Sequence, residues 1–412
     1  MPRPFPVEAV RDQFPALTEV EATTFFDNAA GSQLPAVVIE AIRRHLVHHM
    51  VQRGGPYTQS RQVDAVILEA RRAVADLVNA PDPEEVAFGL NATSFMRLVS
   101  QAIAEQGGER NEIVVSDLDH EANVSVWLDL ERRGFSIRRW PLAGDAPELA
   151  VDQLRPLLSE RTRLVAVTWA SNAVGSVVDV AGAADAAHRV GAELFVDAVH
   201  YLPHGPIDVQ GAQIDYLACS AYKAFAPHIG FLWGRRRLLD ALPAFREYFI
   251  PDRTPHKFEL GTYAYENVAG LLAAVGYLES LGRSCGAQGD RRRVLGYAMT
   301  AIRDYEASLS ERMLQGLARL RSIRVYGAPV PQGRTPTFSF TAEGITPTGV
   351  CRELAQRGYS LRHGHLYCPR LMERLGLSSE TGAVRASLVH YNTLGEVDGF
   401  VAALGSLSGS DR

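Results

Sequence analysis

The sequence predicts an α/β protein: a large domain built on a mostly parallel sheet, followed by a small α+β C-terminal domain. Three observations carry this. Continuous apolar runs recur at residues 86–88, 113–115, 164–169, 194–196, 216–219 and 231–233, and segments such as 124–133 and 180–190 separate most of them with helical spacing. An unbroken apolar strand has both faces buried, and alternation with helices is the pattern of a parallel sheet covered on both sides. Beyond residue 289 the pattern changes: a long helical stretch to about residue 320 is followed by runs 337–340 and 384–389 that alternate with period two. Finally, 412 residues with 46% hydrophobic and 22% charged side chains are enough for a large and a small domain.

In chain order, residues 7–17 read as a short amphipathic arm, and 25–31 as a strand breaking into a small-residue turn. Pro35 opens a helix to about residue 48. Val66, Ala70, Ala73, Val74 and Leu77 recur at helical spacing and predict a core-facing stripe. Helices are expected at 348–357 and 394–407 around the C-terminal strands. The expected division is an N-terminal arm (1–24) packed with the small domain, a large domain (25–288), and a connecting helix with the small domain (289–412). Ligands of such sheets sit at the carboxyl ends of the strands. Asn91, Ala92, Thr93, His120, Asn172, Asp197, Ser220 and Lys223 all fall there.

A net charge of −5 leaves no basic footprint for nucleic acid. The triplets Arg235-Arg236-Arg237 and Arg291-Arg292-Arg293 read as solvated helix faces or subunit contacts. No stretch approaches a membrane span, and the first residues show no apolar leader. The four cysteines lack metal or disulfide spacing, so the expectation is a cytoplasmic protein without a metal site.

The chemistry gathers around Lys223, which ends the run Ser220-Ala221-Tyr222-Lys223. A lysine held against a buried sheet loses its proton easily and forms a Schiff base with a carbonyl. Asp197 ends the neighbouring apolar run and suits a pyridinium nitrogen. These are the two protein groups that pyridoxal phosphate most needs. The turn Asn91-Ala92-Thr93-Ser94 opens a helix, so its N–H groups and the Thr93 hydroxyl suit an anion.

Further motifs follow in order: Phe26-Asp27-Asn28-Ala29-Ala30, Asp119-His120-Glu121-Ala122-Asn123, Ser171-Asn172-x-x-Gly175, Val196-Asp197-Ala198-x-His200, Ser220-x-x-Lys223, Phe258-Glu259-x-Gly261-Thr262 and Arg385-Ala386-Ser387-Leu388-x-x-Tyr391-Asn392-Thr393. Together they resemble the aminotransferase class V family of fold-type I pyridoxal phosphate enzymes, specifically its cysteine desulfurase branch. The resemblance implies that Lys223 holds the cofactor as an internal aldimine and moves protons, that Asp197 pairs with the pyridinium N–H, and that His120 stacks on the ring. It implies Asn172 and His200 at the phenolic oxygen O3′, His200 standing where relatives usually carry glutamine. It adds Ser220 and Tyr222 as phosphate donors, with Gly261 and Thr262 supplied by the other subunit of a homodimer. Arg385 becomes the clamp for a substrate α-carboxylate, with Asn28, Ala30 and Asn172 beside the substrate.

One segment departs from the resemblance. The desulfurase branch carries its nucleophilic cysteine in the pattern Arg-x-Gly-His-x-Cys, whereas here Arg362-His363-Gly364-His365-Leu366-Tyr367 puts tyrosine in that slot. Cys368 is one position late and precedes Pro369. Cofactor, base and clamp alone suffice for β-elimination through an external aldimine and quinonoid. The expected activity is therefore C–S cleavage of cysteine or an S-substituted cysteine, with His363, His365 and Tyr367 lining the leaving-group pocket. A desulfurase using Cys368, an aminotransferase, epimerase or decarboxylase, and a catalytically silent scaffold are the alternatives. Retention of Lys223, Asp197, His120 and Arg385 speaks against the scaffold.

Overall fold

The computed structural model describes residues 4–19, 23–144 and 147–407. Residues 1–3 and 20–22 of the expected arm, and the last five residues of the expected small domain, lie outside these. The large sheet has seven strands in the spatial order Val86–Gly89, Gly230–Gly234, Tyr216–Ser220, Glu193–Asp197, Thr162–Thr168, Glu112–Ser116 and Ser136–Trp140. All neighbours pair in parallel except Gly230–Gly234, which runs antiparallel to both strands beside it. The central strands are buried on both faces, as their apolar runs require.

The edge strand Ser136–Trp140 was not expected from sequence. Only Trp140 in it is buried, and Arg138 and Arg139 pair with Glu112 and Asp117. Charges on an edge strand discourage pairing with another chain, and they also hide its apolar pattern. The helix Tyr265–Ser284 was likewise unread; it packs with Ala36–His48 and Thr58–Val78 over one face of the sheet. Within Thr58–Val78 the stripe is rotated slightly: Val63 and Ile67 are buried and Val66 only partly so.

The helix Arg291–Leu317 leads to an antiparallel four-stranded sheet in the order Arg362–Gly364, Ala383–Ser387, Thr337–Ala342, Ile323–Tyr326. Its core joins Leu309 and Met313 to Phe338, Phe340, Leu354, Val384 and Phe400. The last expected strand stops at Ser387, because residues 389–392 turn. Near the N-terminus, Phe14 packs edge-on against Phe225, Tyr277 and Tyr391, and Arg11 pairs with Glu396 at 2.9 Å. The arginine triplets are held within the chain: Arg236 by Asp82, and Arg291 by Glu69 and Asp76. Among the described residues no helix is long and apolar enough to cross a membrane.

Candidate active site

Parallel strands deliver their C-terminal residues to one edge of the sheet, and a cleft opens there, with about 400 Å³ of empty space that includes open solvent. Nine of the eleven residues expected around the cofactor line it: Ala92, Thr93, His120, Asn172, Asp197, His200, Ser220, Tyr222 and Lys223. Each is placed by an element end. Asp197 closes its strand and accepts the Val199 N–H at 2.9 Å. Lys223 lies in the turn that follows Tyr216–Ser220. Ala92 begins the helix Ala92–Gln106, capped by Asn91, whose side chain accepts the Ser94 N–H. The Ser220 hydroxyl accepts the Ala92 N–H at 2.9 Å, tying the lysine turn to that helix start. Gly230 makes the approach possible: a Cβ there would lie 2.5 Å from the Asn91 backbone.

The charges are tuned by burial. Lys223 is brought down to about 8, first by burial and then by Arg385, with Asp197 opposing. Asp197 is pushed up to about 6 by burial, against the Val199 N–H and Lys223. His120 falls to about 4 through burial and the nearby Lys223 and Arg385. Its Nδ1 accepts the Ala122 N–H at 3.1 Å, so the ring is neutral with the proton on Nε2. His200 donates to or accepts from Thr337 and Thr335 hydroxyls through Nε2, at 3.0 and 3.2 Å.

Arg385 is buried. Its Nη2 donates to Asp27 and its Nη1 to the Asn172 carbonyl, each at 2.9 Å. Asp27 also pairs with Arg362 at 2.9 Å. Two buried atoms in this region have no protein partner, His200 Nδ1 and Arg385 Nε. Buried polar atoms are ordinarily paired. An amine, a carboxylate, a free imidazole nitrogen and a helix start around one cleft fit a phosphorylated hydroxypyridine aldehyde, and a free guanidinium N–H beside it fits an amino-acid carboxylate.

Other expected site residues are placed differently. Gly261 and Thr262 lie in a separate groove with Gln52, Arg53, Phe249 and Tyr265. Asn28 is not available to a substrate: its amide nitrogen donates to the Phe25 and Ser387 carbonyls at 2.7 and 2.9 Å, and its oxygen accepts the Tyr391 hydroxyl. It joins the N-terminal turn to the small sheet. Ala30 does not line the cleft; its N–H is spent on the Asp27 carbonyl. His363 is exposed and meets Thr348 at 3.4 Å, because alternation on the strand Arg362–Gly364 turns it outward.

The loop after that strand closes over the cleft. Asn172 Nδ2 donates to the Leu366 carbonyl at 2.8 Å, and the Glu121 N–H donates to the Tyr367 carbonyl at 2.8 Å. These bonds hold Leu366 and Tyr367 at φ 54 and 61, left-handed conformations that cost non-glycine residues energy. The Tyr367 ring is half exposed, 5.5 Å from the His120 ring and 5.9 Å from His365, whose Nδ1 accepts the Tyr367 N–H. Cys368 points the other way: its thiol is buried, donates to Asn172 Oδ1 at 3.1 Å, and is pushed up to about 12 by burial. Asn172 therefore has one N–H left for a ligand.

Sequence reasoning missed Asp119 as a structural anchor. It accepts from Ser116 and, at 2.6 Å, from Asn123, and so fixes the loop that carries His120. Burial raises it to about 8. The signal was available in the polar cluster Asp117–Asn123 following an apolar strand.

Comparison with known proteins agrees with this geometry. A family model described as Aminotransferase class-V matches residues 24–400. The chain is 34% identical to the aminotransferase-like protein FGM3 of Gibberella zeae, over 97% of this chain and 98% of that one. It is 32% identical to a probable cysteine desulfurase of Synechocystis sp., over 96% and 94%. The apo structure of the cysteine desulfurase of Thermococcus onnurineus NA1 superposes with a TM-score of 0.87 at 26% identity, covering 99% of both chains. With these matches and a cleft built around Lys223 and Asp197, the chain belongs to the aminotransferase class V family and is a pyridoxal phosphate enzyme of the fold-type I architecture.

Proposed function

We propose that the enzyme breaks the C–S bond of cysteine or an S-substituted cysteine by β-elimination, releasing a thiol and leaving an unsaturated amino acid that one water hydrolyses to pyruvate and ammonia. The observation that carries this reading is the placement of Tyr367 and Cys368. The Tyr367 phenol stands half exposed with its ring 5.5 Å from that of the cleft residue His120, while the thiol of the same loop is buried with its proton held by Asn172. A thiol raised to about 12 is protonated at neutral pH, and it is the thiolate that accepts sulfur.

The cofactor, when bound, supplies an electron sink for the bonding pair left at Cα. Lys223 would hold its aldehyde carbon and, as a free amine, would take the Cα proton, a task suited to a group brought near 8. Asp197 holds the pyridine nitrogen and keeps it protonated. His120, neutral and flat, covers the ring face. Thr93, through its hydroxyl and its backbone N–H, would hold the phosphate together with the Ser220 and Tyr222 hydroxyls, since the Ala92 and Ser94 N–H groups are already bonded to Ser220 and Asn91. Asn172, with one N–H still free, and His200, with Nδ1 free, would face the phenolic oxygen. Arg385 binds the α-carboxylate through Nε while Asp27 and the Asn172 carbonyl hold its fork. Tyr367 and His365 flank the departing sulfur.

The phosphate site is completed by Gly261 and Thr262 of a second copy. Support comes from the groove containing them, which also contains Phe249 and adjoins the fully exposed Tyr248 and the exposed Phe245. Apolar side chains exposed together mark an interaction surface. A homodimer with a shared site, an arm-plus-two-domain division at 25 and 289, and a cytoplasmic setting that suits four unpaired cysteines complete the reading.

Two results are expected. Holoenzyme given S-methyl- or S-benzyl-L-cysteine should release thiol, pyruvate and ammonia in equal amounts. An intact amino-acid side chain returned as its keto acid would instead make this an aminotransferase. The rate of cofactor uptake by apoprotein should rise with pH. Lys223 reacts only when deprotonated and Asp197 serves only when ionised, so the rate climbs from about 6 and levels off above about 8. Stopped-flow absorbance checks this, and a rate that is flat or falls across that window contradicts it.

A further inference from the structure

Behind the cleft, on the side away from solvent, lies a group of titratable side chains that the proposed reaction does not use. His204 follows His200 by one turn, and the two rings meet edge to face at 5.1 Å. His204 Nδ1 lies 2.8 Å from Glu306 Oε2, on the helix Arg291–Leu317. His390, from the segment after the strand Ala383–Ser387, has its backbone N–H beside Glu306, and its ring bonds the Tyr277 hydroxyl at 2.6 Å. All five side chains are buried. Glu306 Oε1, His390 Nδ1 and His200 Nδ1 have no protein partner.

A buried ionised carboxylate without full hydrogen bonding costs several kcal/mol. Three pieces of the chain converge here to bury an acid, where an apolar side chain would pack without any polar atom to satisfy. We propose that Glu306 and His204 are positioning residues that share one proton, which moves from Glu306 Oε2 to His204 Nδ1 when negative charge builds on the His200 side of the cofactor. The proposal rests on the reading that His200 faces the cofactor's phenolic oxygen.

The step balances within the pair. The O–H bond of Glu306 breaks, an N–H bond forms on His204, the carboxyl becomes carboxylate and the imidazole becomes imidazolium. Nothing else is consumed. The pair stays neutral overall, while its positive end moves one hydrogen bond closer to the cleft.

The surroundings favour the proton on Glu306 at rest. Burial holds Glu306 well above the carboxylate range, with the His390 N–H opposing. Burial and then Lys223 bring His204 down to about 3. Burial, His204, Lys223 and Arg385 hold His200 well below its ordinary value, and burial and His204 bring His390 to about 3. Cations at the cleft thus oppose a proton on His204, and added negative charge there offsets them.

The test follows the visible absorption of the Lys223-bound cofactor across a pH titration of holoenzyme, comparing wild type with Glu306→Gln. Glutamine keeps a hydrogen bond to Nδ1 but has no proton to pass. Losing a stabiliser of negative charge should raise the titration midpoint by about one pH unit, a tenfold change in proton affinity. A purely structural role would lower the melting temperature and leave the midpoint in place, and an unchanged midpoint overturns the proposal. NMR of isotope-labelled histidine in wild-type holoenzyme decides the matter even where Glu306→Gln does not fold. The His204 Nδ1 signal should move between its bare and proton-bearing ranges as the visible band titrates, and a static signal overturns the proposal. A protein that takes up pyridoxal phosphate with no visible band removes the cofactor reading beneath it, which is a different failure and is seen before any variant is made.

Discussion

Lys223→Ala is expected to lower turnover by about 10²–10⁴-fold, the range for removing a positioned acid–base group, while cofactor still binds. The two effects separate because different residues serve them. Thr93, Ser220 and Asp197 remain to hold the phosphate and pyridine ends, whereas the amine near 8 is the only such base among the cleft residues. Borohydride treatment of wild type should fix a pyridoxyl group on the peptide containing Lys223 and on no other lysine. A label on Lys257, the other buried lysine, would refute the assignment. That outcome is disfavoured by geometry: the Lys257 ammonium already donates to the Asp240 and Leu242 carbonyls at 2.9 and 2.8 Å.

Arg385→Ala is expected to raise KM for amino acids by about 10- to 100-fold, since a hydrogen bond to a charged group contributes about 1.5–3 kcal/mol. Cofactor content should not change. The side chain is sealed at the junction of the cleft and the small sheet, and its loss leaves Asp27 with Arg362 as remaining partner. The fold is therefore not left with an unpaired acid. Arg385→Lys keeps a cation in place as a folding control but lacks the Nε–H and the fork that aims it, so it should bind amino acids nearly as poorly. Steady-state kinetics against an amine without a carboxylate provide the check. If that amine loses as much affinity as the amino acid does, Arg385 is not the carboxylate site.

The large sheet was legible wherever a strand is an uninterrupted apolar run, because burial on both faces leaves no room for polar residues. Ser136–Trp140 escaped because its arginines satisfy acids on the strand next door. The cleft was legible for a related reason: a polar residue that ends an apolar strand is placed at the sheet edge by the strand itself. Asp197 and Ser220 are of this kind, and Lys223 lies in the turn directly after Ser220. What sequence could not show were pairings between distant residues. Asn28 looks like a free polar residue in a turn, but Ser387 and Tyr391 consume its amide. Asn172 spends most of its own amide on Leu366 and Cys368, nearly two hundred residues away. The displaced register of Cys368 was visible in the order of residues, but its burial was not. That burial follows from the left-handed turn at Leu366 and Tyr367, which sends successive side chains to opposite sides of the loop.

The central claim is that C–S cleavage here needs no protein thiol, and product analysis of L-cysteine turnover by wild type and Cys368→Ser tests it most directly. Serine keeps a donor for Asn172, so the loop is retained. The expected result is pyruvate, ammonia and sulfide in equal amounts from both proteins, at rates within about twofold of each other, as for a residue outside the chemistry. Alanine as the product, with a persulfide on Cys368 in wild type and no turnover in the variant, would contradict the account and make the enzyme a desulfurase.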